Sequence, residues 1–374
     1  MYVIIMKKLY KFKLNKQIVL SLACLIIISI VSIYSASNMV NKGPLMLKQI
    51  IWYILGIFVV YKVIKIGNNK IYKYYKILYI IGILSLVSLL LFAKPINNSK
   101  CWFTVFGIGT IQPSEFMKII LIITNAVIID KHNKSSYKKD YVLILKIIGV
   151  TLIPSILTFL QPDTGMVLIY FVISFVMLFT SGINIKWFIW FIAILTLLLS
   201  VFLSLYFYND DLFIKIFGTS FFYRIDRLLD WKDGVGMQLT NALIGIGSAF
   251  IFGHGFNNTP IYFPEPQTDF IFSVFATNYG LVGATFLLLI LVYFDFNIIK
   301  IAINSRNRID KYVVSGILAM LIYQQIQNIG MNIGLLPITG ITLPFISYGG
   351  SSLLSYMIII GILLNISNKG KKTF

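Results

Sequence analysis

A proline-rich segment with two carboxylates precedes a long apolar run. Glu265 lies between two prolines, and Asp269 stands where the apolar run begins. The prolines keep this segment out of a helix. Asp269 is then suited to cap the helix that follows, because acidic residues are favoured at a helix N terminus. It is equally suited to act as a general base, because partial desolvation raises the pKa of a carboxylate. The pattern leaves both interpretations open.

A second charged pair opens another apolar run. Glu115 and Lys118 follow Pro113 and are three residues apart, so they share one helical face and can pair. Pro113 and Glu115 are ordinary residues at a helix N terminus, but the helix dipole disfavours a lysine there. Ionisable groups within a membrane usually line a cavity or a pathway. We therefore favour a functional role for the pair.

Two further segments carry polar groups. Residues 223–231, which include Arg224, alternate charged and apolar residues at helical spacing, as in an amphipathic helix at a membrane interface. Arg224 could bind phosphate or carboxylate oxygens, and anchoring to lipid headgroups explains the pattern equally well. Residues 347–352 contain a Gly-Gly pair with flanking hydroxyls. Close helix packing is the simpler explanation of the glycines, and a kink that exposes donors to a substrate is the alternative.

Composition assigns these segments to a membrane protein. The chain has 374 residues, of which 58% are hydrophobic and 12% charged, whereas soluble domains have roughly 25% charged residues. The net charge of +19 does not indicate nucleic-acid binding, because the lysines form short clusters between apolar runs. The two cysteines and two histidines show neither a disulfide framework nor metal-ligand spacing.

The apolar runs predict about ten membrane-spanning helices, because only helices satisfy their own backbone segment by segment in lipid. With both termini cytoplasmic, 23 of the 32 basic residues lie on the inner side, as the positive-inside rule expects. The short connection 161–164 predicts an antiparallel hairpin. The predicted spans are 17–36, 48–66, 74–93, 114–130, 141–160, 165–182, 187–208, 269–298, 312–335 and 343–366.

The predicted fold is a single all-α polytopic membrane domain over residues 1–374. Its one long outer loop, 209–268, lies between the seventh and eighth spans and carries four basic and six acidic residues. Long loops in compact domains tend to be functional, so we expect the chemistry on this side of the membrane.

Five motifs resemble those of the RodA/FtsW/SpoVE family of shape, elongation, division and sporulation proteins, and they occur in the same order as in the family. They lie at residues 112–118, 161–165, 264–272, 280–283 and 328–352. The resemblance extends over residues 18–366, and the sequence Ile338-Thr339-Gly340 is closest to the RodA branch.

The resemblance implies a glycosyltransferase of the bacterial cytoplasmic (inner) membrane that polymerises undecaprenyl-linked lipid II into peptidoglycan on the outer face. It implies a class B penicillin-binding protein as partner, and a role in elongation, division or sporulation. Asp269 matches the family's essential acid and is predicted to be the general base. A divalent cation, Mg²⁺ or Mn²⁺, near Asp269 is compatible with the family, although the sequence shows no closed ligand set. The predicted substrate-binding residues are Glu115, Lys118, Arg224, Glu265, Thr268, Ser347 and Ser351.

Three sites depart from the family pattern. Gln267 replaces a common His, Thr277-Asn278 replace two acidic residues, and His254 replaces a usual Lys. Fewer carboxylates weaken a metal site and leave room for a divergent enzyme. Two alternatives therefore stay open. One is a lipid II flippase or transporter, for which inverted repeats would be expected and none is detected. The other is a non-catalytic scaffold that recruits a penicillin-binding protein.

Overall fold

The structure is a computed structural model that describes residues 14–40, 44–94, 100–105, 109–136, 139–219 and 237–370. These residues form a bundle of helices with one short antiparallel sheet, β1 (Phe103–Val105) and β2 (Gly109–Ile111). The helices are α1 (Lys16–Val40), α2 (Leu45–Ile66), α3 (Asn68–Lys73), α4 (Tyr75–Phe92), α5 (Pro113–Lys134), α6 (Asp140–Phe159), α7 (Thr164–Thr180), α8 (Lys186–Tyr208), α9 (Asp210–Phe217), α10 (Met237–Ser248), α11 (Ile271–Asn304), α12 (Arg308–Asn332) and α13 (Gly350–Gly370).

Each predicted span coincides with a helix: α1, α2, α4 to α8, and α11 to α13. Seven of these helices are long and apolar enough to cross a membrane, namely α1, α2, α4, α6, α8, α11 and α13, and α7 is a shorter apolar helix. The structure thus confirms the prediction of a multi-pass, predominantly helical membrane protein. The predicted hairpin is also confirmed, because α6 and α7 pack together across the turn at 161–163.

The remaining two spans, α5 and α12, are more polar because they lie inside the bundle. Helix α5 packs against α4, α6, α7, α12 and α13, and α12 against α5, α7, α11 and α13. Their polar side chains bond to other helices: Asn125 donates to Ser174 Oγ at 2.9 Å, and Gln324 donates to the Tyr356 hydroxyl at 2.9 Å. Polar groups are tolerated at membrane depth where protein surrounds them.

The structure adds two local features to the predicted fold. The β1–β2 hairpin is absent from the all-α prediction, because three-residue strands are too short to show a periodic pattern. The long loop predicted over 209–268 is partly helical, since it contains α9 and α10, and the segment predicted as an amphipathic helix at 223–231 lies outside the described residues.

The tenth span begins later than predicted, at Gly350 rather than at residue 343. Phe345, which follows Pro344, has a φ of 65°, so the backbone cannot be helical there. The Gly-Gly pair therefore starts α13 and does not kink it. A Cβ on Gly350 would lie 2.4 Å from Cε2 of Trp52, so close packing of α13 on α2 explains this glycine.

Helix α11 is broken at Gly280, whose φ is 63°. At such a break, two N–H groups that follow it along the chain and two carbonyls that precede it lose their partners within the helix. The loop 250–255 supplies replacements for all four groups. The hydrogen bonds run from Leu281 N to Phe250 O (3.0 Å), Val282 N to Ile251 O (3.1 Å), His254 N to Thr277 O (3.0 Å) and Gly255 N to Asn278 O (2.9 Å).

Candidate active site

A cavity of about 600 Å³ lies at the end of the bundle where α2, α5, α7, α11 and α13 begin. Its walls come from segments that are distant in sequence: the β-hairpin, the α6–α7 turn, residues 265–269, residues 339–342 and residues 348–352. The aromatic rings of Trp52, Trp102 and Tyr348 line it together with several hydroxyl and amide side chains. Four carboxylates also line it, those of Glu115, Asp163, Glu265 and Asp269.

Most of the predicted site residues meet in this cavity. Asp269, Glu115, Glu265, Thr268 and Ser351 line it. Lys118 and Ser347 are buried next to lining residues and contact them from behind. Arg224 lies outside the described residues.

Asp269 does not cap the helix that follows it. Helix α11 starts at Ile271, its N-cap residue is Phe270, and that residue makes no side-chain capping bond. The capping interpretation of Asp269 is therefore wrong. Burial and, as a smaller contribution, the negative charge of Glu265 raise the pKa of Asp269 from 3.8 to about 6, although a hydrogen bond from Thr268 acts in the opposite direction.

Glu265 lies in a tight turn between its two prolines, with a φ of 49°. Its Oε2 accepts a hydrogen bond from Gln267 Nε2 at 2.7 Å, and Thr268 Oγ1 lies 3.4 Å from the same oxygen. Gln267, where the family commonly has His, thus keeps a donor toward this carboxylate. The turn brings Glu265 and Asp269 close enough for one charge to act on the other.

The predicted ion pair of α5 is present. Lys118 Nζ lies 2.7 Å from Glu115 Oε2, and both side chains are buried. Ser355 Oγ donates to the same oxygen at 3.4 Å, and the ammonium lies 5.2 Å from the centre of the Tyr356 ring. Removing one partner from a buried pair typically costs about 3–5 kcal/mol, because it leaves an unpaired buried charge.

Asp163 is a cavity residue that the sequence prediction does not include. It is the N-cap of α7, where its Oδ1 accepts from Met166 N at 3.2 Å, and its Oδ2 accepts from Gln112 Nε2 at 2.8 Å. Burial raises its pKa to about 6. The signal in the sequence is an acidic residue within the motif at 161–165, but the same residue type is common at helix caps, so spacing alone does not separate the two roles.

The two predicted serines join the walls of the cavity. Ser347 Oγ donates to Thr268 O at 2.6 Å and accepts from Leu343 N at 2.9 Å. Ser351 Oγ accepts from Gln112 N at 3.0 Å and donates to Thr110 O at 3.2 Å. Both hydroxyls therefore form hydrogen bonds with the backbone. Of the two serines, Ser351 lines the cavity and Ser347 does not.

No lysine or arginine of the described residues lines the cavity. Among the residues that the structure describes, no group of three or more His, Cys, Asp and Glu side chains is arranged to hold a metal ion. The divalent cation near Asp269 therefore stays a prediction.

Three of the residues that depart from the family pattern lie at the break in α11 instead of in the cavity. Thr277 and Asn278 are buried there, and Asn278 Oδ1 accepts from Thr259 Oγ1 at 2.9 Å. His254 Nε2 lies 2.9 Å from Ser248 Oγ. Only Gln267 among the departing residues lines the cavity.

Known proteins share both the sequence and the fold. The chain is 34% identical over 360 residues, 92% of this chain and 90% of the relative, to the probable peptidoglycan glycosyltransferase FtsW of Wigglesworthia glossinidia brevipalpis. It is 33% identical over 290 residues, 72% of each chain, to stage V sporulation protein E of Bacillus subtilis (strain 168). In fold it is similar to a chain solved in a study of the structural coordination of polymerization and crosslinking by a peptidoglycan synthase complex, with a TM-score of 0.75, 24% identity, and coverage of 95% of this chain and 98% of that one.

The sequence profile of the FtsW, RodA and SpoVE proteins, described as cell cycle proteins, matches residues 12–372. This match does not separate the branches, so the resemblance to the RodA branch stays a prediction. The profile extends over nearly the whole chain and includes every segment that lines the cavity. The chain therefore belongs to the FtsW/RodA/SpoVE family of cell cycle proteins.

Proposed function

We propose that this protein is a peptidoglycan glycosyltransferase that polymerises lipid II on the outer face of the bacterial cytoplasmic membrane. The observation that carries the proposal is Asp269, a carboxylate with a pKa near 6 that lines a cavity at one end of the bundle. The curated relative with 34% identity is named a probable peptidoglycan glycosyltransferase, which supports the same activity here.

In the proposed reaction, Asp269 accepts the proton of the acceptor sugar hydroxyl. The hydroxyl oxygen forms a bond to the anomeric carbon of the donor sugar, and the bond from that carbon to the diphosphate oxygen breaks. The diphosphate leaves with the electron pair. By analogy with inverting glycosidases, such a transfer needs no covalent intermediate and so no second carboxylate as nucleophile. A base with a pKa near the working pH is well matched to this proton transfer.

The cavity offers suitable contacts for a sugar. Trp52, Trp102 and Tyr348 provide flat apolar surfaces, and pockets of this kind add a few polar groups for orientation. Gln267 Oε1 and Thr339 Oγ1 are buried at the cavity without a hydrogen-bond partner among the described residues. We propose that hydroxyl or amide groups of the substrate bond to these two atoms.

The leaving diphosphate requires positive potential. Five helices begin at the cavity, and helix N termini favour anions through their free N–H groups and dipoles. We propose that Arg224 adds a charge-assisted contact to the diphosphate. The pair of Glu115 and Lys118 would support the site from within the bundle, since Glu115 lines the cavity and Lys118 lies directly behind it.

The orientation and the partner are also part of the proposal. Lysines and arginines are concentrated on the connections at the end of the bundle opposite the cavity, which supports an outward-facing cavity. A class B penicillin-binding protein is the proposed partner, because the chain of similar fold comes from work on a synthase complex that couples polymerization with crosslinking. A sporulation role is compatible with the relative named stage V sporulation protein E, and roles in division and elongation stay predictions.

The test is polymerisation of labelled lipid II by the purified chain, with and without a co-expressed class B penicillin-binding protein. We expect Asp269→Asn to lower the rate by about 100-fold or more, because general base catalysis contributes roughly 10²–10⁴-fold. The matched control is Asp211→Asn, an exposed aspartate that does not line the cavity. Normal polymer from Asp269→Asn would remove this base from the mechanism.

Two other outcomes would point to the alternative functions. Movement of lipid II across a liposome membrane without any polymer would support a transporter. Normal cell-wall growth of a strain carrying Asp269→Asn would support a scaffold.

A further inference from the structure

Two asparagines of α12 bond to the backbone of the proposed base. Asn328 and Asn332 are four residues apart, so their side chains lie on the same face of the helix. Both residues have 0% exposure. The Nδ2 atom of each donates to the carbonyl oxygen of Asp269 at 2.9 Å. This carbonyl therefore accepts two hydrogen bonds, which is its full capacity.

Asn332 also caps α11 from a neighbouring helix. Its Oδ1 accepts from Ser273 N at 3.0 Å and from Ser273 Oγ at 2.5 Å. Ser273 is the third residue of α11, and the first N–H groups of a helix have no partner within it. Phe270 at the N-cap position has no side-chain oxygen for this purpose. Asn332 thus caps the N terminus of α11 in place of a residue adjacent to the helix in sequence. The carboxylate of Asp269 is therefore not needed as the cap.

Asn328 links the base to the opposite segment of the cavity wall. Its Nδ2 also donates to Ile341 O at 2.8 Å, and both Ile341 and Asp269 line the cavity. The adjacent Gly340 lies against the carboxylate, because a Cβ there would be 3.7 Å from Asp269 Oδ2. One buried amide therefore sets the distance between the base and the facing wall.

We infer that Asn328 and Asn332 are positioning residues that direct the Asp269 carboxylate into the cavity. This inference rests on the proposed role of Asp269 as general base. Without Asn332, the N terminus of α11 lacks an acceptor, and the adjacent Asp269 carboxylate turns toward it. Hydrogen bonds from helix N–H groups stabilise the charged carboxylate and lower its pKa. The base would then be both displaced and weaker.

The test uses Asn332→Ala and Asn328→Ala in the full chain, assayed with labelled lipid II over a range of pH. We expect kcat to fall by about 10- to 100-fold in each variant, since small misplacements of a reacting group cost up to that much. KM is expected to change by less than about twofold, because ground-state binding is retained. In Asn332→Ala the acid limb of the pH profile should also move to lower pH.

The matched control is Asn125→Ala. Asn125 is a fully buried asparagine of the central helix α5 that bonds to Ser174 and does not line the cavity. Its loss should lower the thermal stability by a similar amount while leaving kcat and the pH profile unchanged. A positioning role is therefore separable from general destabilisation.

The outcomes also separate this inference from the proposed function. If Asp269→Asn is inactive while both asparagine variants keep the wild-type kcat and pH profile, the inference fails and the proposed function stands. If Asp269→Asn is fully active, the proposed function itself fails. A fall in kcat of the same size in Asn125→Ala would likewise overturn the inference. Should Asn332→Ala not fold, Asn328→Ala carries the test with the same kcat and KM readouts.

Discussion

The environment of Asp269 contains two neighbours that act on its pKa in opposite directions. Burial and the charge of Glu265 raise the pKa, the hydrogen bond from Thr268 lowers it, and the net result is a pKa of about 6. Because the folded-state pKa lies above the ordinary value of 3.8, ionising Asp269 opposes folding. Its favourable contribution to stability is present below about pH 4 and is lost as the pH rises through about 6. The proposed base thus lowers stability at the pH where it works.

A pH profile of kcat/KM for lipid II polymerisation tests this balance. The rate should fall as the pH drops through about 6, because a protonated Asp269 cannot accept a proton. Glu265→Gln removes a negative charge and should move this acid limb to lower pH. Thr268→Val removes a bond to the charged form and should move it to higher pH. If the acid limb moves in the same direction in both variants, or does not move, the assignment of this limb to Asp269 is contradicted.

Asp163 provides the control for that experiment, because its pKa is also raised to about 6. If the acid limb belongs to Asp269, it should persist in Asp163→Asn at a reduced overall rate. Disappearance of the limb in this variant would assign the titration to Asp163 instead.

At the scale of the element, the break in α11 depends on two glycines that meet face to face. A Cβ on Gly253 would lie 2.3 Å from Asn278 O, and one on Gly280 would lie 2.4 Å from Gly253 N. Both residues have positive φ, which favours glycine. The hydrogen bonds of Asn278 with Thr259 and of His254 with Ser248 lie at the same break, so these departures from the family pattern concern the packing of α11 and lie outside the cavity.

We expect Gly253→Ala to destabilise the fold by more than about 1–3 kcal/mol, the usual cost of backbone strain, because a backbone clash is added to it. Gly247→Ala is the matched control: it lies in α10, a Cβ there meets nothing within 4 Å, and alanine favours a helix. Thermal unfolding in detergent should show a lowered midpoint for Gly253→Ala only. Equal midpoints for the two variants would contradict the described break.

At the scale of the whole molecule, the arrangement of charge predicts the orientation in the membrane. Asn258 lies in an exposed loop at the cavity end, and Lys139 lies exposed on the connection between α5 and α6 at the opposite end. In a chain with Cys24 and Cys101 replaced, a membrane-impermeant maleimide should label Asn258→Cys in intact cells. Lys139→Cys should be labelled only after permeabilisation. The reverse pattern would place the cavity in the cytoplasm and exclude the proposed reaction there.

The sequence by itself determines what depends on near neighbours along the chain. Apolar runs of sufficient length predict ten of the described helices, the short turn at 161–163 predicts the α6–α7 hairpin, and the three-residue spacing predicts the pair of Glu115 and Lys118. These features are readable because hydropathy, helical periodicity and turn chemistry act over a few residues.

Only the tertiary structure decides how the cavity is assembled. Asp163 enters the site because α7 begins beside α5, and Asp269 is free of capping because Asn332, 63 residues further along the chain, takes over that role. The loop that fills the break in α11 is likewise recruited from outside the helix. Hydrogen bonds between distant segments depend on how helices pack against one another, and the spacing of residues along the chain does not predict that packing.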